Sequence, residues 1–360
     1  MVLPDHGGVL AQLARRAEAI LLPLGALLVG FAVFSLFLLL QGKSPVEFFA
    51  LVYKAGFGTA FSWNNTLSRT APLLFAALCV ALPARLGLVV IGGEGAIVLG
   101  GVATGAMGVA LAGAPAALAL PVMLVAAAVT GAVWIGAVGA LRHYRGVNET
   151  IASLLMAYIA IALMNHLVEG PLRDPASLNK PSTAPLVETL RVGDIPGWDV
   201  HWGLALGLVC CVLAAILIDR TSWGFAARIA GGNVRAAQIQ GLPVGWLIIG
   251  FTALGGAFAG FAGFFEVAAV HGSANASLAT GYGYTGILIA FLARHNPLAI
   301  IPVAILLAGF EASSGLVQRR MDLSDATTLV LQGFVFIAIL ISDTFYGRFK
   351  VFAPEKWSRT

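Results

Sequence analysis

A chain of 360 residues in which 59% are hydrophobic and only 11% charged, with a mean hydropathy of +0.91, is no ordinary soluble domain, where about a quarter of residues carry charge. This balance predicts an all-α, polytopic membrane protein. The net charge of +4 is spread over loops and marks no nucleic-acid partner, and Cys79, Cys210 and Cys211 fall inside apolar runs, which excludes a disulfide framework and a zinc site.

In chain order, Ala19 to Leu40 is an uninterrupted apolar run preceded by Arg15 and Arg16, which predicts an uncleaved first span starting in the cytoplasm. Gln41 to Asn65 is a polar segment on the far side. Its Gly42-Lys43-Ser44 invites comparison with a phosphate-binding loop, but the first glycine of that motif falls on Phe37, so any ATP hydrolysis must come from another polypeptide. Thr66 to Pro83 predicts the second span, Leu86 to Leu111 the third and Ala116 to Leu141 the fourth, with Arg85 at a tight cytoplasmic turn.

The third of these is unusual, because Gly92, Gly93, Glu94 and Gly95 interrupt an apolar run. Counted as a continuous helix from Leu86, Glu94 lies ~13 Å into a hydrocarbon core of ~30 Å, where an ionised carboxylate costs at least ~2.5 kcal/mol unless it faces protein or water. Glu94 is therefore expected to point into the bundle, either lining a path or fixing the packing of its neighbours.

Arg142 to Arg145 form a cytoplasmic turn, and Asn148 caps a fifth span reaching Val168, with Glu149 favourably placed in its first turn. Glu169 to His201 is a long outer loop rich in Pro, Asp and Gly, suited to a lid or a docking surface; His166 and His201 are expected at the membrane interface. Trp202 to Ile218 predicts the sixth span.

Asp219 to Val244 is the best-punctuated polar stretch in the second half of the chain. Asn233 caps a short helix that Gly241 and Pro243 end, and Arg220, Arg228 and Arg235 against the single acid Asp219 place the stretch in the cytoplasm. Such a helix suits either a contact with a soluble partner or an interfacial amphipathic loop.

Gly245 to Val270 predicts the seventh span, with Glu266 near its outer end. His271 to Tyr284 is rich in Gly, Ala and Ser and suits irregular backbone at membrane depth. The eighth span reaches sufficient length only if it begins near Ser277. Arg294 marks another cytoplasmic turn, Leu298 to Val317 holds Glu311 in the ninth span, Thr327 to Ile341 is the core of the tenth, and a tail bearing Arg348, Lys350, Lys356 and Arg359 follows. Ten spans with both termini cytoplasmic put the larger share of the 21 Lys and Arg inside. The small-xxx-small pairs Gly101/Gly105 and Gly256/Gly260 read as helix packing. Residues 1–360 then form a single transmembrane domain.

Four stretches, RLGLVVIGGEGAIVLGG from Arg85, GVNETIASLLMAYIA from Gly146, AARIAGGNVRAAQIQGLPV from Ala226 and the long run from Gly255 to Ala299, together resemble a known family. It is that of the permease subunits of bacterial ABC importers, in the branch of the ribose/branched-chain amino acid permease superfamily that takes up nucleosides with a basic membrane lipoprotein-type binding protein. The resemblance implies a multi-pass subunit of the bacterial cytoplasmic (inner) membrane that is not itself an enzyme and holds no cofactor. Its implied partners are ABC ATPase subunits that bind the ATP, a second homologous permease and an extracytoplasmic substrate-binding protein. It also implies a coupling helix carrying Gly232, Asn233, Arg235, Ala236, Gln238 and Gly241.

The expected substrate pathway comprises Gly93, Glu94, Gly95, Glu266, Tyr282, Tyr284 and Glu311. The family's usual Asn-Ile-Gly-x-Glu-Gly-Gln departs here to Val90 and Ala96, and a usual Asn is Ala157, so three amides that a sugar or base could bond are absent. A permease for a simple sugar and a proton-coupled secondary transporter remain alternatives, the latter using membrane carboxylates and no ATPase.

Overall fold

The computed structural model describes residues 6–324 and 326–345; the tail residues Arg348, Lys350, Lys356 and Arg359 and the side chains of Arg15 and Arg16 lie outside what it describes. Its helices in chain order are α1 (His6–Leu40), α2 (Pro45–Gly56), α3 (Ala60–Ala84), α4 (Gly93–Ala110), α5 (Ala116–Arg145), α6 (Glu149–Glu169), α7 (Gly203–Arg220), α8 (Ser222–Gly232), α9 (Val234–Ile239), α10 (Val244–Phe265), α11 (Tyr282–Leu292), α12 (Pro297–Met321) and α13 (Ala326–Phe345). Among the described residues there is no strand, only isolated bridges.

Among the described residues seven helices are long and apolar enough to cross a membrane, or eight if Leu24–Leu40 and Pro45–Gly56, bent by 119°, count as one span. The sequence predicts ten, and the difference has local causes. Ala276–Leu292 and Ala326–Ser342 are apolar but short. The segment expected to be a polar connection after Gln41 is mostly helical, comprising α2 and the first turns of α3. The third predicted span is helical only from Gly93, because Arg85 to Gly87 turn and residues 88–92 run without helical structure, so the depth counted for Glu94 along a helix from Leu86 does not apply.

The chain divides into two compact units. In Met1–Tyr53 with Ser313–Thr360, α1 packs on α13 so closely that a side chain at Gly30 would meet Val335 Cα at 2.9 Å. The fully buried Phe34 anchors an aromatic cluster with Phe48 and Phe334, at centroid distances of 4.9 and 6.5 Å.

In Lys54–Ala312, α10 is the central helix, lying against α3, α4 and α5. Gly256 and Gly260 face Gly131 and Ala127 of α5, where a Cβ would strike backbone carbonyls; Gly255 meets the Cys79 carbonyl of α3 at 2.7 Å and Gly100 of α4 meets Gly260 at 2.8 Å. These close approaches are how helices gain packing where lipid offers no hydrophobic drive. At its outer end α10 widens into a π-type turn, Glu266–His271.

Candidate functional site

Three breaks in helical structure shape the interior of the larger unit: the run of residues 88–92, the π-type turn and the segment between Gly272 and Gly281. Irregular backbone in a membrane persists only where neighbours supply its hydrogen bonds. At the first break the donors and acceptors come from the start of α6. Ser153 Oγ accepts the Ile91 N–H at 3.0 Å, Thr150 Oγ1 donates to the Val89 carbonyl at 2.9 Å, and Glu149 Oε1 accepts the Val89 N–H at 3.5 Å. Glu149 is also paired with Arg142 at 3.3 Å, so it does more than favour its own helix dipole.

At the third break the partner is the outer loop. Thr183 donates its N–H to the Ala274 carbonyl at 2.9 Å, its hydroxyl accepts the Ala274 N–H at 3.0 Å, and the Leu186 and Val192 N–H groups reach the Gly272 and Ala268 carbonyls at 2.8 and 2.9 Å. The loop expected as a lid is thus stapled to the π-type turn and the residues after it. His201, at 5% exposure, is buried and stacked on Phe265 at 5.7 Å instead of sitting at an interface.

Glu94 lies in the first turn of α4, 1% exposed, and its carboxylate crosses to the beginning of α11: Oε1 accepts the Gly281 N–H at 2.7 Å and Oε2 the Gly283 N–H at 2.6 Å. Two helix N-termini therefore share one carboxylate, and each contributes a favourable dipole end to the negative charge. Gly283 permits this approach, since a Cβ there would run into the Glu94 backbone; Gly281 adopts φ +94. Gly95 similarly admits Ala157 and Ala160 of α6, each 2.9 Å from where its Cβ would sit, and Gly93 faces Cys79 and Gly283.

Glu266 is 3% exposed with His271 Nε2 3.9 Å from its carboxylate, and Thr285 Oγ1 donates to Glu311 Oε1 at 3.1 Å. Glu94, Glu266 and Glu311 interact electrostatically with Tyr282 and, through Glu266, with one another; Arg69 of α3 is the cation in their field. Tyr284, 39% exposed, interacts electrostatically with Glu94 and with Tyr158. The sequence reading finds the acids and tyrosines but not Arg69, Thr150 or Ser153. Arg69 is the detectable omission, a cation inside a predicted span; the two hydroxyl residues carry no signal until the break they support is known. Among the described residues no group of three or more possible metal ligands forms.

Asp219 to Val244 holds two helices where the sequence predicts one. Thr221 caps α8 by accepting the Gly224 N–H at 3.2 Å, and Asn233 caps α9 by accepting the Ala236 N–H at 3.0 Å. Gly241, at φ +77, reverses the chain after α9, and the Leu242 N–H closes on the Ala237 carbonyl at 3.0 Å. Ala237 is buried and Ala236 half-buried, whereas Gly232, Asn233, Arg235, Gln238 and Gly241 are exposed and Ile239 is 81% exposed. A capped, rigid helix with an uncovered apolar tip results.

A protein-family model for the branched-chain amino acid transport system / permease component matches residues 62–340. The chain belongs to that permease family. Similar relatives are the glucose ABC transporter permease protein TsgB13 of Haloferax volcanii, 31% identical over 91% of this chain and 89% of its own length, and the guanosine ABC transporter permease protein NupP of Bacillus subtilis, 30% identical over 83% and 86%. The nucleoside ABC transporter permease protein NupB of Lactococcus lactis is 22% identical over 83% and 85%. No solved structure matches the chain. In this permease the three apolar departures Val90, Ala96 and Ala157 are fully buried around the Gly92 to Gly95 break. No amide stands at those three positions, and the acids that interact with Tyr282 have Arg69 in their field instead.

Proposed function

We propose that this permease is the membrane-spanning subunit of an ATP-driven importer that moves a nucleoside or related sugar-like solute into the cytoplasm. The observation carrying this reading is its near-equal likeness, 31% and 30%, to a glucose permease and a guanosine permease. Glucose and guanosine share a neutral, polyhydroxylated sugar ring. Tyr282 and Tyr284 offer rings and hydroxyls to such a solute, and the carboxylates offer acceptors for its hydroxyls. The glucose relative also favours a second reading, in which the solute is a simple sugar.

In this reading residues 1–360 act as one permease domain with ten crossings, the short helices included, and both termini in the cytoplasm of a bacterial inner membrane. The basic turns at Arg142 to Arg145, Arg220 to Arg235 and Arg294 support that orientation. Helix α9, with Asn233, Arg235, Gln238 and Ile239 outward, docks on an ABC ATPase that holds the ATP; a second homologous permease completes the path, and an extracytoplasmic binding protein selects the solute. A proton-coupled mechanism is less well supported, since both oxygens of Glu94 are occupied by backbone N–H groups.

The test is uptake into proteoliposomes holding the permease, the second permease, the ATPase and the binding protein, with labelled guanosine, adenosine and glucose. ATP-dependent accumulation of at least one is expected, and uptake that persists without the ATPase overturns the reading. A weakly binding path is what release requires, so calorimetry should place tight affinity on the binding protein and not on the permease.

A further inference from the structure

Between α5 and α6, at the end of α5 where its last turn carries Arg142, His143 and Arg145, the chain leaves an open crevice of about 760 Å³. Its lining is Ala137, Ala140, Leu141, Tyr144 and Arg145 of α5 and Met156 of α6. That volume is in the range of ~300–1,000 Å³ that holds a small organic ligand. We propose that the crevice is a binding site for an anionic phospholipid, with an acyl chain lying along Ala137, Ala140 and Met156 and the headgroup phosphate on Arg145.

Three observations on this surface support the assignment. First, Arg142 is neutralised by Glu149 at 3.3 Å, whereas no carboxylate among the described residues pairs with Arg145, which is exposed at the boundary of a membrane span. Basic pockets between spans at that level are where anionic headgroups bind. Second, the flanking faces are apolar and uncovered: Val129 and Val133 of α5 and Leu155 and Ile159 of α6 are each more than half exposed, as a bilayer-facing surface requires. Third, Gly146 ends α5 in the left-handed conformation, which holds the turn bearing Tyr144 and Arg145 at the crevice. A related permease subunit is the competing occupant of this face. Its own turns on the same side of the membrane carry excess Lys and Arg, so it would bring like charge toward Arg145, while a phosphate brings the complement.

The full-length permease in nanodiscs is labelled with phosphatidylglycerol or phosphatidylcholine carrying a photoactivatable acyl chain, and the cross-linked peptides are mapped. Phosphatidylglycerol should label the peptides containing Leu141 and Met156 about fivefold more than phosphatidylcholine does, the ratio equivalent to the ~1 kcal/mol that one basic residue contributes at an anionic surface. Arg145→Gln should bring the ratio to about one with the protein still folded, and Ala140→Phe should remove labelling at both peptides, while Leu118→Phe, on the same helix but near its other end, leaves it in place. Equal labelling by the two lipids in the unaltered protein overturns the proposal as general bilayer contact. Loss of labelling when the second permease is added overturns it in favour of a subunit interface.

Discussion

The Glu94 carboxylate accepts the Gly283 N–H at 2.6 Å, and through that bond the first turn of α4 caps the first turn of α11. With Gly281 on the other oxygen, both Glu94 oxygens are engaged in the cap, and protonating either one would weaken it. Glu94→Gln retains one acceptor and turns an amide nitrogen toward a second N–H, so a charge-assisted bond worth roughly 1.5–3 kcal/mol is lost. The expected result is a lower Tm and less folded protein, with the solute concentration at half-maximal uptake unchanged per folded molecule. Gly283→Ala should reproduce this, because its Cβ would collide with the Glu94 backbone. Unchanged stability with altered half-saturation would instead assign Glu94 to the solute.

A comparable dependence exists at Ser153, which is fully buried and whose Oγ accepts the Ile91 N–H at 3.0 Å. Ser153→Ala leaves that N–H without a partner inside the protein, at a cost of about 1–3 kcal/mol. Thermal unfolding should show the loss, whereas Ser153→Thr keeps the acceptor. If Ser153→Ala unfolds like the unaltered chain, the break at residues 88–92 is satisfied by something other than α6.

The long apolar helices α5, α6, α7 and α10 were legible because burial in lipid imposes an unbroken apolar run, and such runs need no knowledge of neighbours. The caps at Asn148 and Asn233 were legible for a related reason, as a cap is a bond between residues three apart in sequence. The start of α4 was not. Leu86 to Ile91 is as apolar as a helix interior, and what holds it out of a helix is Thr150 and Ser153, distant in sequence. The same holds for the outer loop, whose Pro and Asp content suggests mobility, while its bonds to Ala268, Gly272 and Ala274 are visible only in three dimensions. Glu94 was correctly expected to face the bundle, but its partners were two backbone N–H groups, which no side-chain pattern advertises.

His201 makes the anchoring of that loop sensitive to acid. Burial pushes its pKa below the ordinary 6.5, with weaker opposing effects from Ser68 and Asp194. The folded state therefore favours the neutral ring, and below about pH 6.5 the unfolded chain binds the proton more readily. Stability contributed by the neutral ring is present above that pH and is lost as the pH falls toward 5. The Tm of the unaltered protein should drop more steeply between about pH 7 and about pH 5 than that of His201→Gln, with the two curves parallel above pH 7. Parallel curves throughout would remove His201 from the acid response.

The coupling role proposed for α9 predicts that folding and transport can be separated. Arg235 is exposed on a helix that carries no carboxylate, and Ile239 projects an apolar side chain that is 81% exposed, so neither contributes to the packing of this chain. Surface substitutions of that kind shift stability by no more than about 0.5 kcal/mol. Yet an interface anchor lost from a small docking helix costs 2 kcal/mol or more of association, roughly thirtyfold in affinity. Arg235→Glu and Ile239→Asp should therefore leave Tm and membrane insertion unchanged, weaken co-purification of the ATPase, and abolish ATP-driven uptake, while binding-protein docking from the other side persists. Asn233→Ala, which removes the cap and leaves the exposed face intact, should give an intermediate loss. Full uptake by Arg235→Glu together with Ile239→Asp would move the ATPase contact away from α9.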